Sequence, residues 1–264
     1  MSKKLSILAL LLLLIGGIGS FFTFSQTNQD EITTEKTVNS DMVKEVQILT
    51  NNATVEIVPT SDTETNVELV TKGVDVSKMD FSTKVIGKKL TIRLKEPSTF
   101  SIGFNIRSSH LYVYVPQKLY NSFVIENDNG NMKMSELKIK NLKAQTNNGR
   151  IELNKIVAEN VDVKSANGRL DLHDVEGNLK GSSNNGQISL ATKDLNRNIQ
   201  LESDNGKITI ETDKEPTNTT FKVSADNGKI NILDKYEGNT VIGKGDNLVD
   251  LESNNGKIEV IKSK

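Results

Sequence analysis

The sequence of 264 residues contains no cysteine and no tryptophan. The missing cysteines exclude disulfides, thiolate metal sites, a cysteine nucleophile and a lipidated-cysteine anchor. Only two histidines, His110 and His173, could serve as bases or metal ligands. Aromatic residues are 5% of the chain, so a core has to be built from Ile, Leu and Val, which suits thin stacked sheets. Net charge is scarce too: 33 Lys and Arg against 34 Asp and Glu leave −1, and nucleic acid is excluded as a partner of the whole surface. No GxSxG, HExxH or Walker motif occurs. After residue 40 helical periodicity is missing as well, apart from a weak candidate at Val76 to Phe81.

What is present begins with a targeting signal. Lys3 and Lys4 precede an uncharged run from Leu5 to Phe24. At about 1.5 Å per residue a helix of that length spans roughly 30 Å, the hydrocarbon thickness of a membrane. The lysines before it and Asp30, Glu31 and Glu35 after it place the body outside the cytoplasm. A cleaved signal peptide, with Gly17 and Gly19 at the cleavage site, is the alternative. Because the apolar run continues through Phe21, Phe22 and Phe24, the expectation is an uncleaved membrane helix over 1–27. A polar, Thr-rich linker is expected over 28–42 and a β-repeat body over 43–264.

In the body, VKEVQILTNNATVEIV, NVELV, KKLTIRL and HLYVYVP alternate with period 2 between turn residues and read as short strands. From about Leu119 a repeat takes over. Its centres are Asn129-Gly130, Asn148-Gly149, Asn167-Gly168, Asn185-Gly186, Asn205-Gly206, Asn227-Gly228 and Asn255-Gly256, so the glycines are 19, 19, 18, 20, 22 and 28 residues apart. The residues two and four past each glycine are apolar, as in Ile151 and Leu153, and share one face of a strand. The residue three before is usually Ser or Thr, as at Thr146, Ser165, Ser183, Ser203 and Ser253. One copy cannot bury its apolar side alone, whereas stacked copies form a continuous narrow core.

Two architectures fit. Asn-Gly between strands is a strong hairpin signal and suits an antiparallel meander. A near-constant period with recurring residue types suits a single-stranded β-solenoid, β-helix-like, of about 20 residues per repeat. The recurring Asn decides for the solenoid, since stacked amides can form a hydrogen-bonded ladder. On this reading the glycine turns the chain through positive φ. TNNATVEI, with Ala53 in the glycine place, reads as a degenerate extra copy, and 43–118 as atypical strands capping the repeats of 119–264.

The N-terminal anchor, the VQILTNNATVEIVP pair, LYVYVP before the repeats and the serial NNGRIEL units resemble the bacterial "putative adhesin" domains of unknown function. That group includes the LiaG-like membrane-anchored proteins of envelope-stress operons. The resemblance implies an extracytoplasmic β-repeat protein of the cell envelope without an enzymatic role, and it carries over no catalytic residue.

Four constellations could carry function. In RLDLHDVEG, Asp171 and His173 face outward near Asp174 and Glu176, and Asp162 could add a carboxylate, as in a polysaccharide-active enzyme; a solvated outer face is the simpler reading. Arg150, Arg169, Lys207, Lys229 and Lys257 follow the glycine in five of the seven copies and would stack at one corner, a track for an anionic envelope polymer or lipid head groups. Glu152, Asp171 and Glu259 lie on the same face and compensate them. Asp128, Asp204 and Asp226 sit at turns, but the GGxGxD signature of calcium-loaded coils is missing, so no metal or other cofactor is expected. Phe100, Ile102, Phe104 and Ile106 alternate within STFSIGFNIRSS, as a greasy edge that docks a partner such as a membrane protein, or the membrane itself, or as core. The expected function is binding or scaffolding at the envelope, with a polysaccharide-active enzyme or a passive spacer as alternatives.

Overall fold

The computed structural model describes residues 12–13, 31–97 and 107–263. Leu12 and Leu13 are helical; the rest of the expected anchor, and the segment holding Phe100, Ile102, Phe104 and Ile106, lie outside the described residues. Among the described residues no helix is long and apolar enough to cross a membrane.

The body is all β and solenoid-like. Before the repeats come β1 (Glu31–Asn39), β2 (Glu45–Thr50), β3 (Thr54–Thr60), β4 (Glu64–Lys72), β5 (Asp80–Ile86), β6 (Lys89–Lys95) and β7 (Ser108–Pro116). The repeats supply β8 (Leu119–Asn129), β9 (Met132–Ser135), β10 (Lys138–Asn148), β11 (Ile151–Asn167), β12 (Leu170–Ser183), β13 (Ile188–Thr192), β14 (Ile199–Ser203), β15 (Ile208–Thr212), β16 (Thr219–Ala225), β17 (Ile230–Ile232), β18 (Thr240–Ile242), β19 (Asn247–Ser253) and β20 (Ile258–Lys262). The helical candidate at Val76 is a single 3-10 turn, Val76–Lys78, held by the Asp75 side chain.

Each layer contributes one strand to each of two faces. The first face runs β5, β6, β2, β8, β10, the second half of β11, the second half of β12, β14, β19, β16 and β18. The second runs β1, β4, β7, β3, β9, the first half of β11, the first half of β12, β13, β15, β20 and β17. Repeat strands pair in parallel, Asn148 against Asn167 for example. The antiparallel meander is therefore excluded, and antiparallel pairs occur only toward the ends, at β1–β4, β4–β7, β5–β6 and β16–β18. At about 4.8 Å per layer the stack is roughly 50 Å long. One core of Ile, Leu and Val fills the space between the faces, with Tyr120, Phe123 and Phe221 as its large aromatics.

The asparagines form the expected ladder. Nδ2 of each donates to Oδ1 of a neighbour: Asn129 to Asn52 at 2.9 Å, Asn148 to Asn129 at 2.7 Å, Asn167 to Asn148 at 3.0 Å and Asn185 to Asn167 at 2.8 Å. It continues through Asn205 to Asn185 at 2.9 Å, Asn255 to Asn205 at 2.9 Å and Asn227 to Asn255 at 3.0 Å. Asn52 as first rung shows TNNATVEI in its place as an extra copy. The recurring serines have a part as well. The hydroxyls of Ser165, Ser183, Ser203 and Ser253 are buried and donate to the glycine carbonyls of the preceding layer, at 2.9–3.2 Å.

The role expected of glycine is corrected. Of the seven repeat glycines only Gly130 has a left-handed φ, +147°. At the other six a Cβ would lie 1.8–2.0 Å from a glycine carbonyl oxygen of the adjacent layer, so glycine is required by the closeness of the layers rather than by φ. Left-handed backbone falls at the opposite corner instead, on the non-glycine residues Glu136, Lys155 and Asp174, with φ of 57°, 53° and 50°. Each precedes a buried apolar residue: Leu137, Ile156 and Val175.

Two further expectations change. Residues 31–39 of the expected linker form β1, which pairs with β4 along its whole length; its threonines favour an extended strand, and its polarity reflects its exposed outer side. The layers also do not follow chain order at the C-terminal end. β19 lies between β14 and β16, and β20 between β15 and β17, so the coil of residues 247–262 is inserted and the earlier coil of 219–232 closes the stack with β18.

Candidate functional site

Period-2 strands stacked in register turn every outward position into a row crossing the layers. The basic row is such a row. The backbone bonds place Arg150, Arg169, Gln187, Lys207, Lys257 and Lys229 in that spatial order, with Lys257 ahead of Lys229 because of the inserted coil. The row beside it contains Lys133, Glu152, Asp171, Ser189, Thr209 and Glu259.

Compensation comes largely from the next layer. Arg150 pairs with Asp171 at 3.2 Å, rather than with Glu152 beside it. Lys207 and Lys257 converge on Glu259 at 2.6 Å and 2.7 Å. Hydrogen bonds from Lys207 and then Lys257 hold the Glu259 carboxyl below the usual carboxylate range. Arg169 and Lys229 make no ion pair within 4.0 Å among the described residues, so they are the row's available cations.

The enzyme-like cluster is divided. Asp171 and His173 stand on the second face, where His173 is aligned with Asn154 and Ala191. Asp162 lies on the first face, opposite Lys143 and Lys180. The core separates them, and Asp171 is engaged by Arg150. Asp174 is a corner residue, and Glu176 follows it along the chain. His110 lies within β7 and stacks on Tyr112 at 6.2 Å; Tyr112 stacks on Tyr114 at 6.4 Å. Tyr114 donates to Glu68 at 3.3 Å, and burial followed by the Glu68 charge pushes its hydroxyl pKa up. Asp204 and Asp226 are separated by the Asn254 layer, and among the described residues no cluster of three or more His, Asp or Glu could hold a metal ion.

The sequence reading missed the first face. Two shallow grooves of about 500 Å³ and 520 Å³ cross it. The second is lined by another amide ladder, Asn160 to Asn141 at 3.0 Å and Asn178 to Asn160 at 3.2 Å. Its signal was available, since Asn stands eight residues before the glycine at Asn141, Asn160, Asn178 and Asn198.

Stacked coils, amide ladders and unbroken polar rows define an all-β repeat protein whose chemistry is presented along rows. The chain belongs to the Toastrack family, DUF4097, whose model matches residues 43–178 and again 137–261. That match agrees with the family resemblance read from the sequence. A "putative adhesin" from Bacteroides fragilis shares the fold, with a TM-score of 0.51 at 14% identity over 88% of this chain and 97% of that one. A "putative cell adhesion protein" from Clostridium sporogenes aligns with a TM-score of 0.46 at 15% identity over 89% and 100% of the two chains. A "putative lipid binding protein" from Parabacteroides distasonis aligns at 0.37 and 12% identity over 90% and 98%. No curated protein matches the chain.

Proposed function

We propose that this is a non-enzymatic binding or scaffold protein of the bacterial cell envelope, anchored by residues 1–27, with a solenoid body of Asn-Gly coils outside the cytoplasm. The carrying observation is the cationic corner, where five basic residues occupy one row and Arg169 and Lys229 have no carboxylate partner within 4.0 Å among the described residues. A rigid row of positions about 4.8 Å apart, basic except at Gln187, suits a flexible polyanion such as a teichoic acid, which can adjust its phosphates to the free cations Arg169 and Lys229. Membership of a family of "putative adhesin" domains supports binding over catalysis.

The test uses residues 28–264 as bait against peptidoglycan, teichoic acid and lipid vesicles at two salt concentrations. Saturable, salt-sensitive capture of teichoic acid is expected. The double variant R169S/K229S should weaken it at least tenfold without changing the melting temperature. No capture by any fraction would favour a passive spacer, and glycan cleavage that depends on Asp171 and His173 would favour the enzyme.

A further inference from the structure

The C-terminal coil lies between two coils that follow one another in the chain, those of residues 199–212 and 219–232. Its strands pair with β14 and β15 on one side and β16 and β17 on the other. Both walls of this slot precede the coil in the chain. Without it, two strand edges on each wall would be left with unpaired N–H and C=O groups.

Everything the slot recognises belongs to the repeat. Asn255 donates to Asn205 and accepts from Asn227. The Ser253 hydroxyl donates to the Gly206 carbonyl at 3.0 Å. Gly256 packs so closely on Gly206 that a Cβ would lie 2.0 Å from its carbonyl oxygen, and Gly228 packs on Gly256 with 1.9 Å in the same sense. Val249, Leu251, Ile258 and Val260 complete the core between the walls. A second copy of the chain presents the same groups at the same spacing.

The connection allows the coil to leave. Fourteen residues, 233 to 246, separate β17 from β19, with only the three-residue β18 between them. Gly243 and Gly245, just before the coil, have φ of +68° and +75°, a geometry that only glycine adopts without strain.

We propose that residues 247–263 also insert into the slot of a second copy, so that two chains join by exchanging C-terminal coils. Reciprocal exchange closes a two-fold dimer in which each stack regains every ladder bond of the monomer. The interface is a strand addition on two edges at once, with side-chain pockets set by the repeat.

The chain has no cysteine, so disulfide trapping reads the exchange directly. Glu202 and Glu252 are exposed and face each other in register on β14 and β19. Full chains carrying only Glu202→Cys are mixed with full chains carrying only Glu252→Cys, partly unfolded, allowed to recover together and oxidised. Neither can form this disulfide within itself, whereas an exchanged pair sets the two thiols side by side. A mixed disulfide at least ten times the yield from pairing Glu202→Cys with Glu126→Cys is expected. The double variant E202C/E252C, oxidised as a monomer beforehand, should then form no dimer. A mixed yield at the control level would overturn the proposal, and so would equal dimer formation by the locked double variant.

Discussion

A methyl group on Gly168 would lie 1.8 Å from the carbonyl oxygen of Gly149, and no rotamer choice relieves a clash with backbone. Gly168→Ala should therefore cost about 2–4 kcal/mol in denaturant unfolding, the range of overpacked interiors and above. Gly238→Ala is the matched comparison: a Cβ there meets nothing within 4 Å, and a change within about 0.5 kcal/mol is expected. The opposite corner predicts the reverse sign. Lys155 holds a left-handed φ of 53°, which costs an L-residue roughly 1–2 kcal/mol. Its only compensation among the described residues is an exposed pair with Glu136, a kind of contact worth little in water. Lys155→Gly should stabilise the protein by up to about 1 kcal/mol, read as a rise in the denaturation midpoint. Of these two corners, sequence pattern exposed the first and concealed the second. Asn-Gly repeats identically, while the second corner, six residues past the glycine, changes residue type and sign of charge from Glu136 to Lys155 to Asp174.

Among the strands, β20 carries the clearest electrostatic prediction. Glu259 accepts from Lys207 on the neighbouring layer and from Lys257 on its own, which lowers its pKa below the ordinary 4.5. A lowered carboxylate pKa means stability that is complete well above pH 4.5 and is lost as pH falls through the folded value. The stability gap between the native chain and Glu259→Gln should thus be present at neutral pH and close in that acid window. A gap that persists unchanged to acid would show that the pair does not contribute. Strand positions were largely legible, because period-2 alternation and turn residues are local signals. β1 was not, because EITTEKTVN buries nothing fully and is held mainly by backbone pairing with β4, which hydropathy does not register. Rows at the candidate site could be foreseen from corners stacking in register. Their ion pairs could be foreseen only in part: Lys257 does meet Glu259 on its own strand, but the Arg150 partner is Asp171 in the next coil rather than Glu152 on the same strand.

At the scale of the whole molecule, a stack of layers has a stability profile with ends. Each layer is held mainly by its two neighbours, so opening should begin where one neighbour is missing. Amide exchange should be slowest through β10, β11 and β12 and fastest in β1, β5 and β18; uniform protection along the stack would contradict this. The order of the final layers escaped sequence reading although one signal was there: ADNGKI of the closing coil has Ala225 where SNNGKI of the inserted one has Ser253, whose hydroxyl bonds the Gly206 carbonyl of the adjacent layer. That order also bears on how the molecule is made. A ribosome releases residues 219–232 before residues 247–262, yet the finished stack holds the later coil inside the earlier one. Most of the rod can grow layer by layer as the chain emerges, each new coil settling on the last. Its final layers cannot, because their closing piece is synthesised before the piece it must close over. Until residues 247–262 emerge, the edges of β14 and β15 lack the partners they have in the finished stack.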